Sequence, residues 1–139
     1  MVIPAPPNNI DFGSTAHFLK MMGATLNELA QHGGARDYSF VKILATKMND
    51  NKSAHAAIKR MMDAVFPQDM LASVLKDSAE IDNATANLST VYELTGPATR
   101  TETHKRCRAY LDAIGRELET LIRKTWPSQH ANLRREGLL

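Results

Sequence analysis

Residues 100–126 read RTETHKRCRAYLDAIGRELETLIRKTW and carry the clearest periodic signal in the chain. Core-type side chains recur there at spacings of four and three residues, namely Cys107, Leu111, Ile114, Leu118 and Leu121. This period predicts one amphipathic helix whose seam faces a core. Two acid–base pairs four residues apart, Asp112–Arg116 and Glu119–Arg123, lie outside the seam and favour the same helix. Pro127 ends it, because proline cannot continue a helix.

Similar periodicity predicts further helices upstream. Their approximate bounds are 14–33, 39–48, 52–66 and 68–94. Ser14 is an N-cap candidate for the first, and Thr99 with Glu102 matches a capping box for the 100–126 helix. The turn-forming run Asn49-Asp50-Asn51 separates the second helix from the third. No run alternates with a period of two residues, so no strand is predicted.

These elements predict an all-α fold, an antiparallel bundle of about five helices. Residues 1–13 hold three of the six prolines and are expected to form an extended arm. The bundle is expected over 14–127, and 128–139 as a short C-terminal helix or a frayed tail. A chain of 139 residues fits one domain with a substantial core.

Composition and spacing exclude several classes of function. The lone cysteine, Cys107, permits no internal disulfide and favours a reducing compartment. The absence of a signal sequence and of any run of about 18 apolar residues predicts a soluble, cytoplasmic protein without membrane contact. The five histidines show no metal-ligand spacing, and no nucleophile motif or phosphate-binding glycine loop occurs. We therefore expect a non-enzymatic protein with no cofactor and no metal.

The leading functional prediction is a protein-interaction module that associates with itself as a homodimer. Methionine adapts to irregular surfaces, and methionines are concentrated in the first half of the chain. Adjacent pairs place one member at the edge of a helix's apolar stripe. The predicted interface consists of Phe12, Met21, Met22, Met61 and Met62.

An alternative prediction is a nucleic-acid-binding accessory protein. The segment 39–66 is expected to be a basic helical hairpin, and cations spread along it would neutralise phosphates. Its predicted contacts are Lys42, Lys47, Lys52, Lys59 and Arg60, with Arg134 and Arg135 from the tail. The net charge of +2 is only mildly basic, so any such contact must come from a local cluster.

A third alternative comes from residues 16–20, which read AHFLK. The stretch resembles the phosphoacceptor site of histidine phosphotransfer domains, which are four-helix bundles. The resemblance implies that His17 accepts a phosphoryl group and that Lys20 stabilises it. Met21 stands where that family has a glycine.

Overall fold

A computed structural model describes residues 1–34 and 39–138 of the chain. Strands and helices alternate at first, as β1 (Val2–Ala5), α1 (Asn9–Gln31), β2 (Lys42–Met48), α2 (Ser53–Val65) and β3 (Met70–Lys76). Helices follow, as α3 (Ala79–Ala86), a 3-10 helix (Gly96–Arg100), α4 (Glu102–Thr125) and α5 (Pro127–Arg135). The chain divides into two compact units, Met1–Leu71 and Ala72–Leu139.

The predicted all-α antiparallel bundle is wrong, because three strands form a parallel sheet in the order β1-β2-β3. β1 pairs in parallel with β2, with Ile3 opposite Ile43 and Ala5 opposite Ala45. The fold is therefore mixed α/β. The predicted N-terminal arm contains the edge strand β1, where Pro4 is tolerated because one side of an edge strand needs no hydrogen-bond donor.

β2 lies where a helix over 39–48 was predicted. Ile43 and Ala45 are fully buried, as alternate residues of a strand facing a core should be. Lys47 then adopts a left-handed conformation with φ 51° and is exposed, while the next residue, Met48, is buried. This shift breaks the alternation. The apolar residues of the segment consequently also fit helical spacing, which explains the wrong prediction.

The core of the first unit lies against the sheet and includes both of its long helices. Three side chains in its centre are fully buried: Ala5, Ile43 and Met62. Half-buried side chains from α1, α2 and their flanks pack around them: Phe12, Leu19, Ile58, Phe66 and Met70. Right-handed βαβ crossovers that add strands in one direction place successive helices on the same face of a sheet. The helix predicted over 52–66 is confirmed as α2.

The single helix predicted over 68–94 is wrong. β3 and α3 occupy most of this range instead, followed by turns. Ser78 continues the helical spacing of Leu71 and Val74 and so falls in the middle of an apparent apolar stripe. It is instead the N-cap of α3, and its hydroxyl oxygen accepts a hydrogen bond from the Glu80 amide at 3.3 Å. The polar centre of that stripe therefore marked a boundary between a strand and a helix.

α4 confirms the helix predicted over 100–126, with a different cap. The Thr101 hydroxyl oxygen accepts a hydrogen bond from the His104 amide at 3.1 Å. Thr99, the predicted cap, instead donates its hydroxyl to the Gly96 carbonyl at 2.8 Å inside the 3-10 helix.

The second unit has its own core beside α4. Cys107 is buried there with Ala84 and Val91, which confirms its predicted core position. The ring of His104 is also buried, with Nε2 3.1 Å from the Val91 carbonyl. Across residues 1–34 and 39–138, no helix combines the length and apolar character that crossing a bilayer requires.

Glu117 on α4 gives a test of the second unit's packing. Its two carboxylate oxygens accept hydrogen bonds from the amides of Ala72 and Ser73, both at 2.8 Å. Hydrogen bonds to charged groups contribute about 1.5–3 kcal/mol each, but one of these two is exposed and the other only partly buried, so water replaces part of their contribution. We therefore expect Glu117→Ala to lower the free energy of unfolding by about 2–3 kcal/mol in urea denaturation. The control Glu119→Ala removes an exposed ion pair with Arg123 and should cost less than about 1 kcal/mol. An equal loss of unfolding free energy in the two variants would contradict the role of Glu117 in packing the second unit.

Candidate nucleic-acid interface

The segment predicted as a basic helical hairpin is a strand, a tight turn and a helix. The predicted break at Asn49-Asp50-Asn51 is confirmed as the turn between β2 and α2. The Asn49 side-chain oxygen accepts from the Asn51 amide at 3.0 Å, and its carbonyl accepts from the Lys52 amide at 3.2 Å. The Asn49 amide in turn donates to Nδ1 of His55 at 3.3 Å. These bonds fix the chain on both sides of the turn.

Lys47 and Lys52 flank this turn, and both are exposed. Lys52 is the N-cap of α2 but makes no side-chain capping hydrogen bond, and the first turn of the helix has no acidic residue. No carboxylate within that first turn therefore offsets the partial positive charge of the helix N-terminus, although Asp50 lies in the preceding turn. Arg60 lies two turns further along α2 and is also exposed. We call Lys47, Lys52 and Arg60 the basic surface.

Two of the five predicted hairpin cations are engaged within the protein. Lys59 forms an ion pair with Asp63 at 2.5 Å, and its side chain is only 16% exposed. The Lys42 ammonium donates to the Gln68 carbonyl, and this lysine is half-buried. For the three residues of the basic surface, no ion pair is present among residues 1–34 and 39–138. Of the five predicted hairpin cations, these three are therefore the best placed to meet an external anion.

The two predicted tail cations belong to the second unit. Arg134 and Arg135 are exposed in the last turn of α5, where cations complement the helix dipole. The Arg135 guanidinium also donates to the side-chain oxygen of Asn132.

The predicted methionine interface divides between core and surface. Met62 is fully buried, and Phe12 packs beside the same core, with its ring centroid 5.9 Å from that of Phe66. Met22 is half-buried. Met21 and Met61 are exposed. Met62 is thus part of the core, and a charged residue there would unfold the first unit rather than test an interface.

Met21 borders a shallow groove on the outer side of α1. The groove has a volume of about 510 Å³ and is lined by Gly13, Ser14, His17, Phe18 and Met21. Phe18 is 44% exposed and Met21 is 54% exposed, which is unusual for side chains of this size. This surface is apolar, and nothing in its lining distinguishes it as a phosphate site.

His17 and Lys20 are both exposed on α1, as the third alternative requires. The four-helix bundle that the resemblance implies is absent, because α1 packs against a parallel sheet in the first unit. Phosphoryl transfer at His17 stays a prediction. Among residues 1–34 and 39–138, no three His, Cys, Asp or Glu side chains are grouped so as to hold a metal ion.

Comparison with known proteins links most of the chain to two curated relatives. A protein of Sinorhizobium fredii (strain NBRC 101917 / NGR234) named "Putative replication protein A" is 24% identical over 126 residues, which are 91% of this chain and 31% of that protein. A protein of Rhizobium rhizogenes with the same name is 21% identical over the same shares. The chain therefore spans about a third of the length of these relatives. No protein-family model matches it.

Lys47 offers a way to remove one charge of the basic surface without damaging the strand. A left-handed conformation costs a residue with a Cβ roughly 1–2 kcal/mol, whereas glycine adopts it freely. We expect Lys47→Gly to unfold at the same or a slightly higher urea concentration than wild type. Lys47→Val should unfold at a lower one, since β-branched side chains tolerate this conformation least. The reverse order would mean that this residue is not left-handed in solution.

Proposed function

We propose that the chain contacts nucleic acid through the basic surface formed by Lys47, Lys52 and Arg60. The observation that carries this proposal is that these cations are exposed, two of them beside the turn before α2 and one two turns further along the helix, while neighbouring lysines contact other groups of the protein. Both curated relatives are named replication proteins, which is consistent with such a role.

The physical basis of the contact is the neutralisation of phosphates. Each phosphate that a lysine or arginine neutralises releases a condensed counterion, so the affinity falls as salt rises. Contacts of this kind position a protein on the backbone without reading sequence. Three cations make only a few phosphate contacts, so we expect weak binding with little sequence preference and a shallow but measurable salt dependence.

The test compares two variants that lose the same charge. Lys52→Gln/Arg60→Gln removes two cations of the basic surface, and it should weaken binding to a labelled duplex and reduce the slope of log affinity against log salt by about 2. The control Lys20→Gln/Arg116→Gln removes two exposed cations on α1 and α4 and should leave the slope unchanged. Fluorescence anisotropy at several salt concentrations measures both slopes.

Three outcomes of this comparison would contradict the proposal. The first is a duplex that does not bind even at low salt. The second is an unchanged slope in the Lys52→Gln/Arg60→Gln variant. The third is an equal loss of slope in both variants, which would mean that only the net charge matters and that the basic surface has no special place in the contact.

A second candidate function is self-association through α1. The observation that favours it is the exposed apolar row on the outer side of the helix, formed by Ile10, Phe18, Met21 and Leu29. Such a row is covered when two copies of the helix pack against each other. The homodimer predicted from the sequence would use this surface. Met62 and Phe12 are not part of it, because they pack in or beside the core.

Sedimentation velocity tests the self-association. We expect the wild-type chain to sediment as a dimer at micromolar concentration and Phe18→Glu/Met21→Glu as a monomer, because buried carboxylates facing each other are strongly unfavourable. The control Ala57→Glu/Ala64→Glu adds the same charge to exposed positions of α2 and should remain dimeric. A wild-type chain that is monomeric at every concentration would exclude this function.

A further inference from the structure

An open groove of about 380 Å³ lies in the second unit, between the 3-10 helix and α4. Its lining consists of Thr99, His104, Lys105, Arg108, Ala109 and Asp112. The four α4 residues from Lys105 to Asp112 are spaced three, one and three apart, so they form one face of the helix. The volume falls within the range of about 300–1,000 Å³ in which proteins bind small molecules.

Tyr92 is held beside this groove by two contacts to its lining. Its hydroxyl donates a hydrogen bond to Oδ1 of Asp112 at 2.6 Å. The guanidinium carbon of Arg108 lies 5.0 Å from the centroid of its ring, a cation–π geometry. The residue is nevertheless 48% exposed. The hydrogen bond to Asp112 raises the pKa of Tyr92 above its ordinary value.

Charge is distributed unevenly along the groove. Lys105 and Arg108 make one end positive, while Asp112 makes the other end an acceptor of hydrogen bonds. Lys105 pairs with Glu102 at 2.7 Å, but its side chain is 60% exposed, so the pair is weak and is easily exchanged for another anion. Two helical turns separate Lys105 from Asp112, a distance of about 10 Å along the axis.

This layout fits a ligand that has an anion at one end, a flat ring in the middle and a hydrogen-bond donor at the other end. Nucleotides with an amino-bearing base have these three parts in this order. Bases stack on aromatic side chains and on arginine planes, and a carboxylate accepts a hydrogen bond from the N4 amino group of cytosine. Thymine presents an acceptor, O4, at the equivalent position.

We propose that this groove binds one nucleotide unit of a single strand, with its phosphate on Lys105 and Arg108, its base stacked on the Arg108 guanidinium that lies over the Tyr92 ring, and its amino group on Oδ2 of Asp112, since Oδ1 accepts from Tyr92. The inference rests on the proposed nucleic-acid role and names a second contact for it, one that distinguishes bases. A base paired within a duplex cannot enter the groove, so the site requires an unpaired nucleotide.

The experiment compares labelled oligodeoxycytidine and oligothymidine of equal length by fluorescence anisotropy with the full chain. We expect wild type to bind the cytidine strand several-fold more tightly. Tyr92→Ala should weaken both strands about tenfold through the loss of stacking. Tyr92→Phe should restore most of that loss, because it keeps the ring. Asp112→Asn should abolish the preference for cytidine, because its amide can satisfy either base.

Two outcomes would overturn the inference. One is equal affinity of wild type for the two strands, and the other is a Tyr92→Ala variant that is folded by circular dichroism and binds both strands as wild type does. Competition with deoxycytidine monophosphate distinguishes the sources of the nucleotide. Displacement at low millimolar concentration assigns a free nucleotide to the groove, and displacement only by a strand assigns the strand.

The Lys52→Gln/Arg60→Gln variant separates this inference from the proposed function. If the basic surface contributes as proposed, the variant has a reduced salt slope but keeps the preference for cytidine over thymidine. If the proposed function fails and the groove still binds, the variant matches wild type in slope while Tyr92→Ala still weakens both strands. If only the groove proposal is wrong, Lys52→Gln/Arg60→Gln still reduces the salt slope, but wild type and every variant bind the cytidine and thymidine strands equally.

Discussion

The packing of Met62 against Ala5 and Ile43 is the constraint on which the first unit depends. These three side chains are fully buried, and they join α2 to two neighbouring strands. Methionine fills irregular space between a sheet and a helix, since it is unbranched and flexible. Because α2 is held there, its N-terminus follows β2 after four connecting residues, and Lys47 and Lys52 come to flank the turn between them. The candidate interface is therefore a consequence of core packing.

Elements whose apolar residues recur without interruption were predicted correctly from the sequence, and elements in which that spacing is interrupted were not. α4 was predicted because its apolar seam repeats over many residues, and α2 because helical periodicity covers 52–66. β2 could not be separated from a helix, since the left-handed Lys47 shifts its alternation by one residue. The boundary between β3 and α3 was likewise missed, because Ser78 fits the helical spacing of the apolar residues before it although it is the N-cap of α3.

The sequence identified which cations the candidate site could contain, but not which of them already contact other groups of the protein. The pairing of Lys59 with Asp63 follows from a helical spacing of four residues and was visible in the sequence. The contact of Lys42 with the Gln68 carbonyl spans 26 residues and depends on tertiary structure, so no local pattern reveals it. The same holds for Tyr92, whose hydrogen bond joins it to Asp112 on another element. The sequence alone could therefore separate Lys59 from the cations of the basic surface, but not Lys42.

Lysine acetylation footprinting tests the central claim most directly, because it measures each ammonium group in the intact chain. The protein is treated with a limiting acetylating reagent, with and without saturating DNA at low salt, and modification is quantified by mass spectrometry. The account predicts that DNA protects Lys47 and Lys52 and leaves the exposed Lys20 on α1 reactive. Equal reactivity of Lys47 and Lys52 in both samples, or protection of Lys20 alone, would contradict it.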